Sequence, residues 1–162
     1  MSEPIRVRAD IVPYTNEYSS LVRSWLDSPE TYSRVCRGRT DFPPSEDIVD
    51  TWQREGVTAY MLLADRKPIA YGELWERPTE MAVEITHLMV DPFKRSEGYG
   101  SRFLKLLCER ASERPGVQKV ILFLTGDNEE ALGCYLKAGF ELVGTTQAVM
   151  GLKMVRFVGL IR

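Results

Sequence analysis

The chain carries the stretch Val90-Asp-Pro-Phe-Lys-Arg95-Ser-Glu-Gly98-Tyr-Gly100 between a predicted strand and a predicted helix. A helix that begins near Ser101 presents unpaired backbone N–H groups and a positive partial charge to the loop before it. Glycine permits positive φ and a close approach of the backbone to an anion. The cationic side chains of Lys94, Arg95 and Arg102 lie in or beside this loop. The loop is therefore predicted to hold a pyrophosphate.

Two common nucleotide-binding loops do not fit this stretch. A Rossmann fingerprint needs a third small residue, but Phe103 stands three positions after Gly100. A P-loop needs the pattern Gly-x-x-x-x-Gly-Lys-Ser/Thr, which the sequence lacks. Taken alone, the two glycines are also compatible with an ordinary strand-to-helix turn that has a solvated basic rim.

Hydrophobic periodicity predicts an alternating series of strands and helices around this loop. Strands are predicted at residues 6–12, 58–64, 69–75, 81–90, 117–124, 140–145 and 153–160. Helices are predicted at residues 17–26, 29–35, 45–55, 101–111 and 128–138, with Ser45 and Asp127 or Asn128 as N-caps. This order predicts an α+β fold in a single domain over residues 1–162, with a mixed, mostly antiparallel sheet of six to seven strands.

The composition excludes several classes of protein. The chain has 162 residues, of which 44% are hydrophobic and 27% charged, and its net charge is −2. A chain of this length buries about 70% of its unfolded surface and needs neither a disulfide nor a metal to fold. The absence of a basic excess argues against nucleic acid and against an anionic membrane surface as partners.

The cysteines and the histidine support the same picture. Cys36, Cys108 and Cys134 are far apart, and His87 is the single histidine, so neither a disulfide framework nor a transition-metal site is expected. The N-terminal residues have no apolar signal segment, and no run of 18 apolar residues occurs. We therefore expect a reduced, soluble, cytoplasmic protein without a metal.

A second motif follows the buried strand at residues 117–124. It reads Asn128-Glu-Glu-Ala131-Leu-Gly-Cys-Tyr135-Leu-Lys-Ala-Gly139-Phe140. Together with the loop at residues 95–100, it resembles the two acyl-CoA-binding motifs of the GNAT acetyltransferase superfamily. Their patterns are Gln/Arg-x-x-Gly-x-Gly/Ala and Asn-x-x-Ala-x-x-x-Tyr-x-x-x-Gly-Phe. Both occur in the family's order and at its usual separation, whereas the chain before Met81 matches only in element order.

The resemblance implies the fold and the position of the cosubstrate acetyl-CoA. Helices should cover both faces of the sheet, and strands 4 and 5 should splay apart. Residues 14–57 should shape the acceptor site and residues 81–145 the CoA-binding core. The pantetheine should pair with the backbone of Leu88 and Val90 and touch Asn128, and the Leu88 or Met89 amide should serve as the oxyanion donor. The pyrophosphate should lie on Arg95, Ser96, Glu97, Gly98, Tyr99, Gly100 and Ser101.

The resemblance also implies a reaction. An acetyl group should pass from acetyl-CoA to a primary amine of a small molecule or of a peptide or protein N-terminus, by direct attack. A base must take the amine proton, and Glu84, eleven residues before Arg95, is the predicted base. Glu73, His87 and water are the alternatives; His87 faces away from Glu84 in a regular strand unless a bulge turns it. Tyr135 is the predicted proton donor to the leaving thiolate.

The acceptor itself cannot be read from the sequence. Aromatic and charged residues of the predicted acceptor region and the neighbouring hairpin suit a small amine or a peptide N-terminus; they are Trp25, Tyr32, Arg34, Arg37, Arg39, Asp41, Trp52 and Trp75. The three arginines could clamp a carboxylate or phosphate, or form a solvated surface. A homodimer is compatible with the family. The alternative function is a non-catalytic acyl-CoA-binding or sensing module on the same fold.

Overall fold

The computed structural model describes residues 8–145 and 151–158 of the chain. The strands in this part are β1 Ala9–Pro13, β2 Val57–Ala64, β3 Lys67–Arg77, β4 Ala82–Val90, β5 Lys119–Leu124, β6 Glu141–Thr145 and β7 Leu152–Phe157. The α-helices are α1 Ser19–Ser24, α2 Pro29–Val35, α3 Ile48–Trp52, α4 Tyr99–Ser112 and α5 Glu129–Lys137. The predicted order of elements is confirmed, although residues 6–7 and 159–160 of the predicted outer strands lie outside the described residues.

The strands form one sheet in the order β1-β2-β3-β4-β5-β7-β6. β4 and β5 run parallel, and the other neighbouring pairs in the described ranges are antiparallel. A parallel pair needs a crossover connection, which α4 supplies. The predicted mixed, mostly antiparallel sheet is therefore confirmed.

Helices cover both faces of the sheet. Phe103 and Leu107 of α4 pack into one core with Leu62 of β2. The second core contains Trp25 and residues of α2 and α3, packed against Met61. Consecutive residues of a strand point to opposite faces, so Met61 and Leu62 separate the two cores. This gives three layers, with α1, α2 and α3 on one side and α4 on the other.

The helix ends follow local sequence signals in two cases. The Ser28 hydroxyl accepts a hydrogen bond from the Thr31 amide at 3.1 Å, and Pro29 is the first residue of α2. The Asn128 side chain accepts from the Ala131 amide at 3.3 Å and caps α5. The latter bond settles which of the two predicted N-cap residues begins α5.

Several predicted helix boundaries were wrong. α3 spans only Ile48–Trp52, with Asp47 rather than Ser45 as its N-cap. The Ser45 carbonyl accepts from the Arg23 side chain at 2.9 Å and from the Ile48 amide at 3.2 Å, in a turn that precedes the helix. α4 begins at Tyr99, two residues before Ser101, with Gly98 as its N-cap in the left-handed conformation. The first turn of α4 therefore includes residues that the sequence pattern assigned to the loop.

Helical spacing predicts an inner face of α5 formed by Ala131, Leu132, Tyr135 and Leu136, with Tyr135 largely buried, and this prediction was wrong in part. Leu136 is 50% exposed, and Tyr135 is half-buried rather than largely buried. Ala131 and Tyr135 pack against the α4-side core, but no residue of α5 is fully buried. The helix lies beside the cleft between β4 and β5, so part of its inner face meets open space instead of a strand.

Candidate active site

The site forms where β4 and β5 part. In the described residues these strands pair only over three positions, Ala82–Glu84 against Lys119–Ile121. Beyond this point the following residues of both strands line a cavity instead of pairing with each other. Unpaired strand edges present backbone N–H and C=O groups that a bound ligand can satisfy. The splay of strands 4 and 5 is therefore present as the resemblance implied.

A β-bulge in β4 shapes this edge. Tyr71 of β3 pairs with Met89, and Glu73 pairs with Thr86, so β4 carries one residue more than β3 over this interval. His87 has a φ of +48°, which is rare for a residue other than glycine. Such bulges redirect side chains and recur beside active sites. In a regular strand His87 and Glu84 would face opposite sides of the sheet. The bulge turns the His87 side chain, so that it lines the same cavity as Glu84.

The bulge packs over Gly72, the β3 residue opposite it. A Cβ at this position would lie 3.1 Å from side-chain carbons of Leu88, Phe103 and Leu107. These carbons belong to the strand edge and to the buried face of α4, so they have little room to move. The absence of a side chain at Gly72 thus allows α4 to press directly on the bulged segment.

We expect Gly72→Ala to lower the free energy of unfolding by about 1–3 kcal/mol, the usual cost of overpacking. The control is Gly133→Ala inside α5, where a Cβ meets nothing within 4 Å. That variant should gain about 0.5–1 kcal/mol from helix propensity. Urea unfolding followed by circular dichroism measures both, and equal effects of the two substitutions would contradict the packing explanation.

The first of two cavities at this gap is the outer cleft, of about 270 Å³. Among the predicted cofactor residues it is lined by Leu88, Met89, Val90, Arg95, Gly100 and Asn128. It is closed on the other side by α2 and α5, through Thr31, Arg34, Val35, Glu130, Ala131, Cys134 and Tyr135. The two sequence motifs, 28 residues apart between Gly100 and Asn128, thus face one common space.

The remaining predicted cofactor residues lie beside the outer cleft without lining it. Ser96, Glu97, Gly98, Tyr99 and Ser101 form the turn and the first residues of α4. Gly98 has a φ of +87°, and Ser96 has a φ of +65°. The turn therefore depends on left-handed backbone at two positions, and it aims the N-terminus of a 14-residue helix towards the gap.

The second space is the inner cavity, of about 90 Å³, which shares Arg34, Val35, Leu88, Asn128 and Tyr135 with the outer cleft. Glu84 lines it and is only 1% exposed. One Glu84 oxygen accepts from Arg77 at 2.8 Å, and the other accepts from Arg37. The sequence predicts the Glu84 carboxylate but not its two arginine partners, each of which binds one of its oxygens.

His87 and Glu73 form a hydrogen-bonded pair at the same cavity. The His87 Nδ1 lies 2.7 Å from Oε1 of Glu73, which also accepts from the Thr86 hydroxyl at 2.7 Å. The other Glu73 oxygen accepts from the Tyr71 hydroxyl. The imidazole ring stacks on Trp52 with the centroids 3.9 Å apart and the planes within 8°. The ring is thus fixed in position by two independent contacts.

Tyr135 lies where the inner cavity and the outer cleft meet. Burial raises the pKa of its phenol above the ordinary value, and the neighbouring Cys134 adds to the effect. A phenol keeps its proton at neutral pH even at its ordinary pKa, so this hydroxyl is available as a proton donor. It makes no hydrogen bond to any of the described residues. The neighbouring Cys134 also lines the outer cleft, with its sulfur 3.2 Å from the Ser101 hydroxyl in the first turn of α4.

The predicted aromatic wall of the acceptor site is only partly present. Trp25 and Tyr32 are buried in the second core and line neither cavity. Trp75 instead lies within 6 Å of three guanidinium groups, those of Arg37, Arg54 and Arg77. The alternation Glu73-Leu-Trp75-Glu-Arg77 on β3, with every second residue on one face, is the signal that could have revealed this polar wall.

The three arginines of the α2 region have different positions. Arg34 and Arg37 line the inner cavity, whereas Arg39 pairs with Asp41 at 2.6 Å and lines neither cavity. The Arg39 guanidinium and the Tyr32 hydroxyl lower the pKa of Asp41 to about 2. The Nε of Arg34 and the Oγ1 of Thr125 are buried without a hydrogen-bond partner among the described residues. These polar atoms beside the gap fit a polar ligand better than an empty cleft.

Comparison with known proteins agrees with this geometry. The model of the acetyltransferase (GNAT) family matches residues 20–140, well over half of the chain. The chain belongs to the GNAT acetyltransferase family. The family assignment and the fold expected from the two motifs are thereby confirmed.

Individual GNAT proteins resemble the chain to different extents. Aminoglycoside N(6')-acetyltransferase type 1 of Klebsiella pneumoniae is 30% identical over 103 residues, which cover 57% of this chain and 51% of that protein. The chain thus spans about half the length of this relative. The structure of an aminoglycoside acetyltransferase, AAC(6')-Ib, with coenzyme A superimposes with a TM-score of 0.77 at 21% identity, covering 93% of this chain and 95% of that one.

A second GNAT structure, spermidine N-acetyltransferase of Vibrio cholerae with CoA and spermine, has the same TM-score of 0.77 at 12% identity. It covers 93% of this chain and 95% of that chain. At these identities the two structural likenesses show the shared fold.

In the described residues of this GNAT chain, no helix has the length and apolarity needed to cross a bilayer. Those residues also contain no group of three His, Cys, Asp or Glu side chains arranged to hold a metal.

Proposed function

We propose that the chain is an acetyl-CoA-dependent N-acetyltransferase that acetylates a primary amine of a small molecule or of a peptide N-terminus. The observation that carries the proposal is the splay of β4 from β5, which opens a continuous space lined by both sequence motifs. The outer cleft offers backbone of β4 and the loop before α4, and the inner cavity offers ionisable side chains. Family membership and the acetyltransferase relatives support the same reaction.

The residues present fit acetyl-CoA as a cosubstrate. The β4 edge at Leu88–Val90 would pair with the pantetheine amides, and Asn128 would contact the same arm. The turn at residues 95–101 and the N-terminus of α4 would hold the pyrophosphate, with Arg95 adding positive charge. Bound there, acetyl-CoA supplies an activated acyl group as a thioester. The Leu88 or Met89 amide would donate to the thioester oxygen as negative charge develops on it.

The protein groups at the cavity junction supply the proton transfers. Alkylamines are mostly protonated at neutral pH, so an amine must first lose one proton to become a nucleophile. The neutral amine then loses a second proton as its nitrogen bonds to the thioester carbon. Glu84 remains a predicted base, although two guanidinium groups occupy its oxygens. Tyr135 is proposed to give its proton to the sulfur as the C–S bond breaks. Its raised pKa keeps that proton in place until the thiolate forms.

A thiol-release assay with acetyl-CoA and a panel of amines, peptides and polyamines tests the proposed function. We expect thiol release that depends on both acetyl-CoA and the acceptor, with acetylated acceptor found by mass spectrometry. Tight binding of acetyl-CoA without turnover on any acceptor would instead favour the non-catalytic sensing module.

The charge of the inner cavity bears on the acceptor. The names of the relatives give aminoglycoside and spermidine as acceptors, which are polycations. Here Arg34 and Arg37 line the cavity, and Arg54 and Arg77 lie with Arg37 around Trp75. Glu84 in the cavity wall and Glu73 behind His87 are already paired. We therefore expect an amine that also carries a carboxylate or phosphate to be acetylated with a higher kcat/KM than spermine. A panel that pairs each amino acid with its amide, with spermine assayed alongside, measures this preference.

The loop before α4 gives a further prediction. Gly98→Val places a β-branched residue at a φ of +87°, where a new Cβ would meet nothing within 4 Å, so its effect comes from the backbone alone. Relief of that strain should move the N–H groups of the turn, and we expect the Kd for acetyl-CoA to rise about ten-fold or more, the equivalent of ~1.4 kcal/mol. Isothermal titration calorimetry measures this effect.

The control is Gly116→Val, at a φ of +78° with equally open space and outside both cavities. Gly116→Val should lower thermal stability about as much as Gly98→Val does, because the backbone strain is alike, and it should leave the Kd for acetyl-CoA unchanged. Equal Kd values for Gly98→Val and the parent would place the pyrophosphate elsewhere.

A further inference from the structure

We propose that His87 is the group that takes the proton from the attacking amine, with Glu73 as its positioning residue. This assignment rests on the proposed acetyltransferase function and names its base. It differs from the prediction of Glu84, which the sequence favoured because of its distance from Arg95 and its apolar neighbours.

The backbone is the first support. His87 sits in the bulge of β4, at a φ of +48°, and this conformation is costly for a residue with a side chain. The bulge follows the last pairing of β4 with β5 by three residues, so it lies in the splayed segment itself. As a result the imidazole lines the inner cavity and keeps 18% of its side-chain surface exposed.

The hydrogen-bond network fixes the tautomer. A carboxylate only accepts hydrogen bonds, so the 2.7 Å contact between Glu73 Oε1 and His87 Nδ1 requires a proton on Nδ1. The Glu73 carboxylate also accepts hydrogen bonds from the hydroxyls of Thr86 and Tyr71. The Gln53 amide in turn donates to the Tyr71 hydroxyl at 2.9 Å. Nε2 of the neutral ring is then the free base, and the structure gives it no hydrogen-bond partner in residues 8–145 and 151–158.

The ring is also held against rotation. Trp52 of α3 stacks on one face of the imidazole, and Trp52 in turn packs beside Tyr71 with the centroids 5.8 Å apart. Partial rotation about χ2 would break both contacts, and a full flip of the ring would keep the stacking but break the bond to Glu73. A base held in this way, oriented by a carboxylate through Nδ1, is the arrangement that general-base histidines use.

The charged groups around the cavity are consistent with this role. Glu73 faces His87 from β3, Glu84 lies on β4 itself, Arg34 and Arg37 come from the α2 side, and Tyr135 faces the cavity from α5. Arg37 and Arg77 each bind one oxygen of Glu84, and its side chain is only 1% exposed, so little of this carboxylate is open to an amine. Among the ionisable groups at the cavity, Nε2 of His87 combines an open lone pair with a fixed ring.

The proposed step balances in atoms and charge. The neutral amine nitrogen forms a bond to the thioester carbonyl carbon, and its surplus proton passes to Nε2 of His87. The C–S bond breaks with its electron pair on sulfur, and Tyr135 gives the sulfur its proton. The imidazolium and the phenolate then return to their starting states by exchange with water. The products are an amide and a free thiol.

The tautomer can be tested without any activity assay. Because His87 is the single histidine of the chain, ¹⁵N-histidine labelling of the parent protein gives one unambiguous pair of ring resonances. We expect a protonated Nδ1 and an unprotonated Nε2 in the neutral ring. A neutral ring with its proton on Nε2 would overturn the proposal, whatever the enzyme acetylates.

Kinetics of His87→Gln then tests the role. Glutamine cannot take up the proton, so we expect kcat/KM for the acceptor to fall about 10²-fold or more and the acidic limb of its pH profile to vanish. The Kd for acetyl-CoA should change less than two-fold. Glu73→Gln should give a smaller loss of kcat and a displaced acidic limb, with the KM for acetyl-CoA unchanged, which a merely structural role would not produce.

The outcomes separate the two proposals. A parent enzyme that acetylates no amine in the panel contradicts the proposed function and the assignment of His87 with it. An active parent whose acidic limb persists in His87→Gln and vanishes in Glu84→Gln overturns the His87 assignment alone. If His87→Gln does not fold, imidazole rescue of His87→Ala replaces it: recovery of the rate with added imidazole supports the proposal, and a folded, unrescued variant contradicts it.

Discussion

Replacement of Tyr135 by phenylalanine should lower kcat about 10²-fold or more while the protein stays folded. The hydroxyl that it removes makes no hydrogen bond to the described residues, so its loss should change the free energy of unfolding by only ~1 kcal/mol. The ring keeps its contact with Phe140, whose centroid lies 6.2 Å away. The catalytic loss follows from the proton that the thiolate no longer receives, within the usual range for general acid catalysis.

Tyr32→Phe is the matched control, because it deletes the same atom from a tyrosine that lines neither cavity. The Tyr32 hydroxyl donates to Asp41 at 2.9 Å, so this variant should lose about 1 kcal/mol of stability and keep the parent kcat. Steady-state rates, single-turnover rates and thermal unfolding of both variants provide the comparison. Parent-like single-turnover rates in Tyr135→Phe, with chemistry rate-limiting, would mean that solvent protonates the thiolate.

Replacement of Glu84 by glutamine should lower the free energy of unfolding by about 2–3 kcal/mol. The carboxylate is 1% exposed and accepts from Arg37 and Arg77, so its loss leaves two guanidinium groups without their shared anion. Removal of one partner of a buried ion pair costs about 3–5 kcal/mol, and partial exposure of both arginines reduces that cost here. Chemical denaturation of the variant and the parent measures the difference.

Glu80→Gln is the control for this experiment. Glu80 pairs with the same Arg77, at 2.8 Å, but its side chain is 31% exposed. Such a pair contributes about 0.2–1 kcal/mol, so the Glu80 variant should be nearly as stable as the parent. If the two variants lose equal stability, Glu84 contributes no more to the ion-pair cluster than the exposed Glu80 does.

Local signals sufficed for much of the fold. Ser28 and Asn128 mark helix starts, because a short polar side chain caps backbone N–H groups within a few residues of its own position. Alternating and 3.6-residue apolar patterns depend only on which face of an element is buried, so they predicted the order of strands and helices correctly. The errors arise where a contact is not local. Before α3, the Arg23 side chain donates a hydrogen bond to the Ser45 carbonyl across 22 positions of sequence, which the residues around Ser45 cannot predict.

The residues of the two motifs were also available to the sequence. Arg95, Gly100, Asn128 and Tyr135 stand at motif positions, and the fold brings all four to the outer cleft. Their spacing along the chain identified the family. It did not reveal that Arg34 of α2 would close the same space, because that contact depends on how the second core seats α2 against β4.

The sequence by itself thus determined the element order, the starts of α2 and α5 and the two motifs, which depend on neighbours within a turn or a strand. Only the tertiary structure decided which ionisable groups are free to act. Glu84 meets Arg37 across 47 positions of sequence. His87 reaches the cavity because β4 bulges over Gly72, where α4 presses against the sheet. Such an ion pair and such a register shift arise from packing between segments that are distant in sequence. They decide whether a carboxylate or an imidazole keeps a lone pair that a substrate can reach.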